Sequence, residues 1–197
     1  MSTRLKSKEM SDEDLVKGIV ANNDTLLFEI LYDRYSKVVY NKCLGFSKSG
    51  QEAEDLTQDV FLKLFVKLSS FKGKSKFSTW LYAFTYNHCV NYVTRNTAKK
   101  IEKQSVSSDT IENIGEDVDS TREFESMRVE QLKHVMELIS PDEKMILLLK
   151  YQDNLSIKEL SQALEIGESA VKMRLKRAKE KLVQKYNNLY TKDGESI

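Results

Sequence analysis

An all-α chain of two small helical domains joined by a flexible acidic linker is predicted, and three observations predict it. There is one Pro and seven Gly in 197 residues, with few alternating strand patterns, so most of the chain suits helix. Apolar residues recur at helical spacing through two stretches, about 11–98 and 122–188. Between them the window 105–126 holds seven acidic residues and one basic one without long apolar periodicity. Such a composition favours solvent, and the linker is set at 99–121.

In the first block, Ser11-Asp12-Glu13-Asp14 starts a short helix containing Leu15, Ile19 and Val20. Asp24 caps the next, where Leu27, Ile30, Leu31, Tyr35, Val38 and Val39 form a broad apolar stripe. Ser49-Gly50 separates it from a third helix with Leu56, Val60 and Leu64 toward the core. Asp55, Gln58, Asp59 and Leu62 fall at i, i+3, i+4 and i+7 on its other face, continued by Val66. A polar stripe is ordinarily a solvated face. An acidic one with apolar neighbours also suits docking of a basic helical partner.

The loop Phe71-Lys72-Gly73-Lys74-Ser75-Lys76-Phe77 follows. Its lysines can approach phosphates, its Gly lets the backbone come close, and an extruded base fits such a loop; the alternative is an ordinary flexible loop. Ser78 is expected to cap a fourth helix carrying Trp80, Tyr82, Phe84, Tyr86 and Tyr92. Asn87, Asn91 and Arg95 recur at i, i+4 and i+8, with Trp80 and Phe84 close to that line. Too many sides of this helix carry rings for all to be buried. Rings beside amides and cations stack on and hydrogen-bond to unpaired bases.

The second block opens with Met127, Val129, Leu132, Val135, Met136 and Ile139 at helical spacing. Ser140-Pro141-Asp142-Glu143 combines a Ser cap, Pro at the first helical position and an acid three residues after the cap, a strong helix start. Ser156 and Glu159 have the spacing of a capping box, with Leu160, Ala163 and Leu164 as the apolar side of that helix. A turn through Glu165-Ile166-Gly167 leads to a last helix opened by Gly167 or Ser169. There Val171, Leu175, Ala178 and Leu182 make one buried stripe, while Lys172, Arg174, Lys176, Arg177, Lys179, Lys181 and Lys185 face only Glu168 and Glu180. Two helices with a tight turn, the second basic, match a helix-turn-helix that lays its second helix in the DNA major groove. A solvated basic helix in a bundle is the alternative.

The net charge of +1 does not argue against DNA, because phosphate contacts depend on a local patch. No apolar run is long enough for a membrane span, and the N-terminus lacks an apolar signal core, so a cytoplasmic protein without membrane insertion is expected. Cys43 and Cys89 fit a reducing compartment. With His88 they lack a second ligand pair, so buried helix residues rather than a metal site are expected. No catalytic set or phosphate-binding Gly loop is present, so neither an enzyme nor a cofactor is expected. On the residues alone, a helix-turn-helix regulator with a helical sensor domain and a protein-binding adaptor both stay open.

Three ordered stretches, AEDLTQDVFLKLF, FKGKSKFSTWLYAFTYNHCVNYVTR and LSIKELSQALEIGESAVKMRLKRAKEKL, together closely resemble an RNA polymerase sigma factor of the extracytoplasmic-function (ECF) group of the sigma-70 family. The resemblance covers nearly the whole chain, 11–98 as region 2 and 122–188 as region 4. It implies core RNA polymerase and promoter DNA as partners. Asp55, Gln58 and Asp59, with Phe61 nearby, would dock on the clamp helices of the largest polymerase subunit. Lys72, Lys74 and Lys76 of the loop, with Asn87, would capture a flipped base of the −10 element; Trp80, Asn91 and Arg95 would support that strand or the adjacent duplex. In region 4, Ser169, Lys172, Met173, Arg174, Lys176 and Arg177 would read the −35 element, with Lys172, Met173 and Lys176 toward base edges and Arg174 and Arg177 mainly on phosphates. The acidic linker would thread toward the polymerase active-site cleft. Many relatives are held by an anti-sigma factor, and the linker admits such a partner. The chain departs from the family pattern at three places: Asn91 where Asp is common, Thr85-Tyr86 where Ala-Arg is often seen, and Glu165 where Gly is frequent.

Overall fold

Side chains that satisfy free N–H groups start most helices of the first block. In the computed structural model, which describes residues 9–101 and 128–190, Ser11 caps α1 (Asp12–Asn22) by accepting the Asp14 N–H. Asp24 caps α2 (Thr25–Leu44) through the Leu26 and Leu27 N–H groups, and Ser49 caps α3 (Gly50–Lys67) through that of Glu52. These follow the expected starts. On α1, Leu15, Val16 and Ile19 are buried, while Val20 is 44% exposed. Gly18 lets α1 lie close to α2, since a Cβ there would stand 2.6 Å from Leu27 Cδ1. That approach turns positions 15 and 19 inward, and residue 20 lies about 140° round the helix from residue 15.

α4 runs Phe77–Ile101, so Ser78 lies inside the helix rather than capping it. The first helical hydrogen bond runs from the Trp80 N–H to the Lys76 carbonyl at 3.2 Å. Phe77 is fully buried against Tyr35, and that burial draws the helix start two residues earlier than a Ser78 cap would give.

The first core gathers Leu15, Ile19, Leu31, Val39, Leu56, Val60, Leu64, Leu68, Phe77 and Leu81 from α1 to α4. Cys43 and Cys89 are buried within it, with the Cys89 thiol directed at Cys43 Sγ 3.8 Å away.

In the second block α5 (Val129–Met136) leads to α6 (Pro141–Leu147), which begins on a complete capping box of Ser140 and Glu143 with Pro141 in its first turn. A π turn follows at Leu148–Gln152, where the Asp153 N–H bonds to the Leu148 carbonyl at 3.0 Å and Leu155 to Leu149 at 3.1 Å. Asn154, at φ 59°, closes it. α7 (Ile157–Leu164) and α8 (Glu168–Tyr190) complete the block. Met127 and the acidic window 105–126 lie outside the described residues.

The two blocks are packed together. Tyr86 and Val90 of α4 belong to the second apolar cluster, with Val135, Ile139, Met145, Leu149, Leu160, Val171 and Leu182. Among the described residues there is no strand, and no helix is long and apolar enough to cross a membrane.

Candidate nucleic-acid interface

The α7–α8 pair is built by local chemistry. Ser156 and Glu159 form the capping box, and the Ser156 N–H and hydroxyl hold the Glu159 carboxyl below the usual carboxylate range. Ser161 pins the turn: its hydroxyl donates to the Ile166 carbonyl at 2.6 Å, while its own carbonyl accepts the Ile166 N–H at 3.2 Å. Glu165 ends α7 in the left-handed region at φ 54° and ψ 38°. For a non-glycine residue that conformation costs about 1 kcal/mol or more. The Gly167 carbonyl then accepts the Val171 N–H, opening α8.

Val171, Leu175, Ala178 and Leu182 are the buried residues of α8, the stripe expected from spacing. Ser169, Lys172, Met173, Arg174 and Arg177 are exposed and Lys176 is half-buried. Met173 is 56% exposed amid these cations, an apolar contact point on a charged helix. Tyr186 donates to Gln131 at 2.9 Å, and His134 meets Tyr190 at 2.6 Å, fixing the far end of α8 on α5.

In the first block the lysine loop is held at both ends by rings. Phe71 lies edge-on to Phe77 at 5.6 Å and beside Trp80 at 5.5 Å. Trp80 stacks on Phe84 at 5.4 Å and 25°. Lys72, Lys74 and Lys76 are exposed, and Gly73 takes φ 65°, a conformation that suits glycine. Asn87, Asn91 and Arg95 are exposed. They follow Trp80 and Phe84 along one face of α4, since steps of 4, 7, 11 and 15 residues return to nearly the same side of a helix. Loop cations, half-exposed stacked rings and amides therefore border one surface.

α4 also explains one departure noted in the sequence. Thr85 and Tyr86 are fully buried: Thr85 Oγ1 donates to the Leu81 carbonyl at 2.8 Å, and the Tyr86 ring sits against Phe46, 5.8 Å between centroids. Burial pushes the Tyr86 hydroxyl pKa upward. Tyr86 therefore faces the second block, while Thr85 shares the side of α4 that carries Leu81 and Cys89 into the first core.

On α3, Asp55, Gln58 and Asp59 are exposed together with Leu62 at 69% and Val66 at 74%. Phe61 is a correction: it is only 4% exposed, packed on Tyr32 at 4.6 Å and Phe28 at 6.3 Å. It shares the inward side of α3 with Val60 and Leu64, so it supports the stripe from beneath. His88 of α4 touches the same surface, with Nδ1 3.3 Å from Lys63 Nζ and Nε2 3.9 Å from Asp59. Burial, with Lys63 and Arg95 adding to it against Asp59, lowers its pKa.

Sequence reasoning missed Glu13, Lys42 and Asp153. Their partners lie far along the chain, so no local spacing marks them.

The chain matches the family model "Sigma-70 region 2" over residues 31–99 and "Sigma-70, region 4" over 129–182. It is 26% identical over 189 residues to the ECF RNA polymerase sigma-E factor of Escherichia coli (strain K12), covering 93% of this chain and 98% of that one. It is equally 26% identical over 192 residues to the ECF RNA polymerase sigma factor SigW of Bacillus subtilis (strain 168), covering 94% and 96%. Two solved structures share its fold. One is the sigma factor RpoE in complex with the anti-sigma factor NepR from Bartonella quintana, at TM-score 0.55 and 18% identity over 80% of this chain and 95% of that one. The other is CnrH in complex with the cytosolic domain of CnrY, at TM-score 0.59 and 17% identity over 94% and 99%.

Proposed function

The chain belongs to the sigma-70 family of RNA polymerase sigma factors, in its ECF group, and on that premise we propose how its two regions initiate transcription. Region 2 docks core polymerase through the exposed α3 stripe of Asp55, Gln58 and Asp59, flanked by Leu62 and Val66. An acidic stripe with apolar neighbours suits a basic helical surface, here the clamp helices of the largest subunit. Region 4 lays α8 in the major groove of the −35 element. Lys172, Lys176 and Met173 face base edges, and Ser169, Arg174 and Arg177 hold phosphates. Met173 cannot donate a hydrogen bond, and a thymine methyl suits it.

Strand opening falls to α4 and its loop. Lys72, Lys74 and Lys76 hold the backbone, Asn87 bonds the edge of a flipped −10 base, and Trp80, Asn91 and Arg95 support the strand. Stacking is worth roughly 1–3 kcal/mol per base, comparable with the few kcal/mol that unstacking costs. Trapping therefore shifts the opening equilibrium without bond chemistry, and the protein acts as an initiation factor rather than an enzyme. An anti-sigma factor is a further partner, as for the sigma factor RpoE in a solved complex of the same fold.

The observation that carries this reading is the presence, on one chain, of a cation-rich α8 in the matched region 4 and of stacked rings, amides and loop lysines on α4 in the matched region 2. Transcription with purified core polymerase on a cognate promoter tests it. Promoter-dependent transcripts should require this protein. Promoter binding without polymerase, and no transcripts with it, would instead indicate a free-standing DNA-binding regulator.

A further inference from the structure

The acidic stripe of α3 carries a cation at its edge. Lys63 follows Asp59 by four residues, so the two lie one turn apart on the same side of the helix, with the acid first. In that order an acid and a lysine ordinarily pair on a helix surface, and the pair offsets the charge of the acid. Here the lysine goes elsewhere. Its ammonium bonds to Nδ1 of His88 on α4 at 3.3 Å, and among the described residues no ion pair joins it to Asp59.

That contact fixes the state of the ring. An ammonium has three N–H donors and no acceptor, so Nδ1 offers its lone pair and the proton of the neutral imidazole sits on Nε2. Nε2 is buried without a hydrogen-bond partner among the described residues, 3.9 Å from Asp59 Oδ2. A buried donor left unpaired is costly, and this distance is just beyond hydrogen-bond reach. The His88 side chain is 12% exposed and the Asp59 side chain 58%. The exposed carboxylate changes rotamer readily and closes the gap, while the ring stays in place.

The imidazole therefore does two things at the edge of the stripe. It draws Lys63 toward α4, away from a surface that has to meet a basic partner. It also offers a donor to Oδ2 of Asp59, and because a carboxylate accepts through both oxygens, Oδ1 is left for that partner. The surroundings favour the neutral ring: burial, with Lys63 and Arg95, lowers the His88 pKa against the pull of Asp59. An imidazolium could not accept from Lys63. Resting on the docking role proposed for α3, we infer that His88 is a positioning residue of the polymerase-docking surface, holding Lys63 back from Asp59 so that the carboxylate meets a basic helix with its charge uncompensated. His88 directly follows Asn87, so the helix assigned to base capture also orders the docking face.

Titration of full-length variants against core polymerase at low salt, arranged as a double-mutant cycle, tests this. His88→Leu fills the site but neither accepts nor donates. It releases Lys63 to Asp59 and should weaken binding roughly threefold, within the range of exposed ion pairs. Lys63→Met should recover that loss in the His88→Leu background and gain distinctly less in the wild-type background. His88→Gln, whose amide keeps an acceptor and a donor, should bind more tightly than His88→Leu. The free chain gives a readout without polymerase: the ring-nitrogen NMR shifts of His88, assigned by their loss in His88→Gln, should be those of the Nε2–H tautomer at neutral pH. A ring in the Nδ1–H tautomer overturns the inference, since that nitrogen could not accept from Lys63. So does a Lys63→Met gain equal in both backgrounds, or a His88→Gln chain as weak as His88→Leu; either would make the loss one of packing alone. If Asp59→Ala weakens binding while the His88 variants bind as wild type, this inference fails and the docking reading stands. If Asp59→Ala also binds as wild type, the docking reading fails and the role of His88 falls with it.

Discussion

The carboxylate of Glu13 in α1 accepts the backbone N–H of Phe77, the first residue of α4, at 3.1 Å and 64 positions along the chain. A helix start needs an acceptor for its free N–H groups, and here a distant helix supplies it. α1 is itself tied down, because Arg34 bonds the Asp12 carboxylate at 2.5 Å and the Met10 carbonyl at 2.8 Å. The bond thus fixes where the lysine loop ends and where the Trp80 and Asn87 face begins.

Glu13→Ala should cost region 2 about 1 kcal/mol, the usual value of a lost helix cap. Glu13→Gln, which keeps an acceptor oxygen, should recover most of it. Thermal melting of the three proteins checks the order, and an Ala variant melting with wild type would show that the cap contributes nothing.

Glu165 offers the opposite change. Its φ of 54° is one that glycine adopts without strain. Glu165→Gly should therefore stabilise region 4 by about 1 kcal/mol, raising its melting temperature by roughly 4–8 °C for a domain of this size. A lower melting temperature would mean that the Glu side chain contributes more than its backbone strain costs.

Acid should weaken the protein in two windows. Burial keeps the folded His88 imidazole below its ordinary pKa, so the unfolded chain binds more protons once the pH drops below about 6.5. Stability should decline from there, and His88→Gln should remove this first decline. Glu143 and Glu159 follow at lower pH. Burial raises the Glu143 pKa, but the Ser140 N–H and hydroxyl and Lys181 outweigh it and leave it depressed; the Ser156 groups depress Glu159. The stability these carboxylates contribute is fully present above the ordinary carboxylate pKa near 4.3. It is lost as the pH falls through their depressed folded values. Melting temperature from pH 7 to pH 3 reads both windows, and a flat profile above pH 5 would remove the His88 assignment.

Asp55→Ala with Asp59→Ala should leave melting within about 0.5 kcal/mol of wild type, since both side chains are exposed. Affinity for core polymerase should fall, more at low salt than at high salt, because exposed charges act through screened attraction. Equal affinity for both proteins in a titration would take the α3 stripe out of the docking surface.

Arg174→Ala and Arg177→Ala should each weaken promoter binding by the polymerase complex across −35 sequences and reduce the slope of log K against log salt by about 1. Met173→Ala should leave that slope unchanged and lose discrimination at one base position. A Met173 variant that changes the salt slope instead would contradict its placement at a base edge.

Much of this could be read along the chain. The Ser11, Asp24 and Ser49 starts, the two capping boxes and the α8 stripe depend on spacings of three and four residues. The helical period fixes which side chains share a face, whatever the rest of the molecule does. The same logic misplaced Ser78, and the family resemblance put Phe61 at a surface it does not reach. Phe77 starts α4 because it is buried against Tyr35 and capped from α1, and Phe61 turns inward because α2 offers Tyr32 and Phe28.

By itself, then, the sequence determined that this chain is helical, that a basic helix-turn-helix ends it and that loop cations precede an aromatic, amide-bearing helix. Only the tertiary structure decided that Lys42 meets Asp153 across 111 positions and that Tyr86 lies beneath region 4 rather than on DNA. Helical periodicity sorts residues into faces, but what covers a face depends on contacts between distant segments, which no local spacing records.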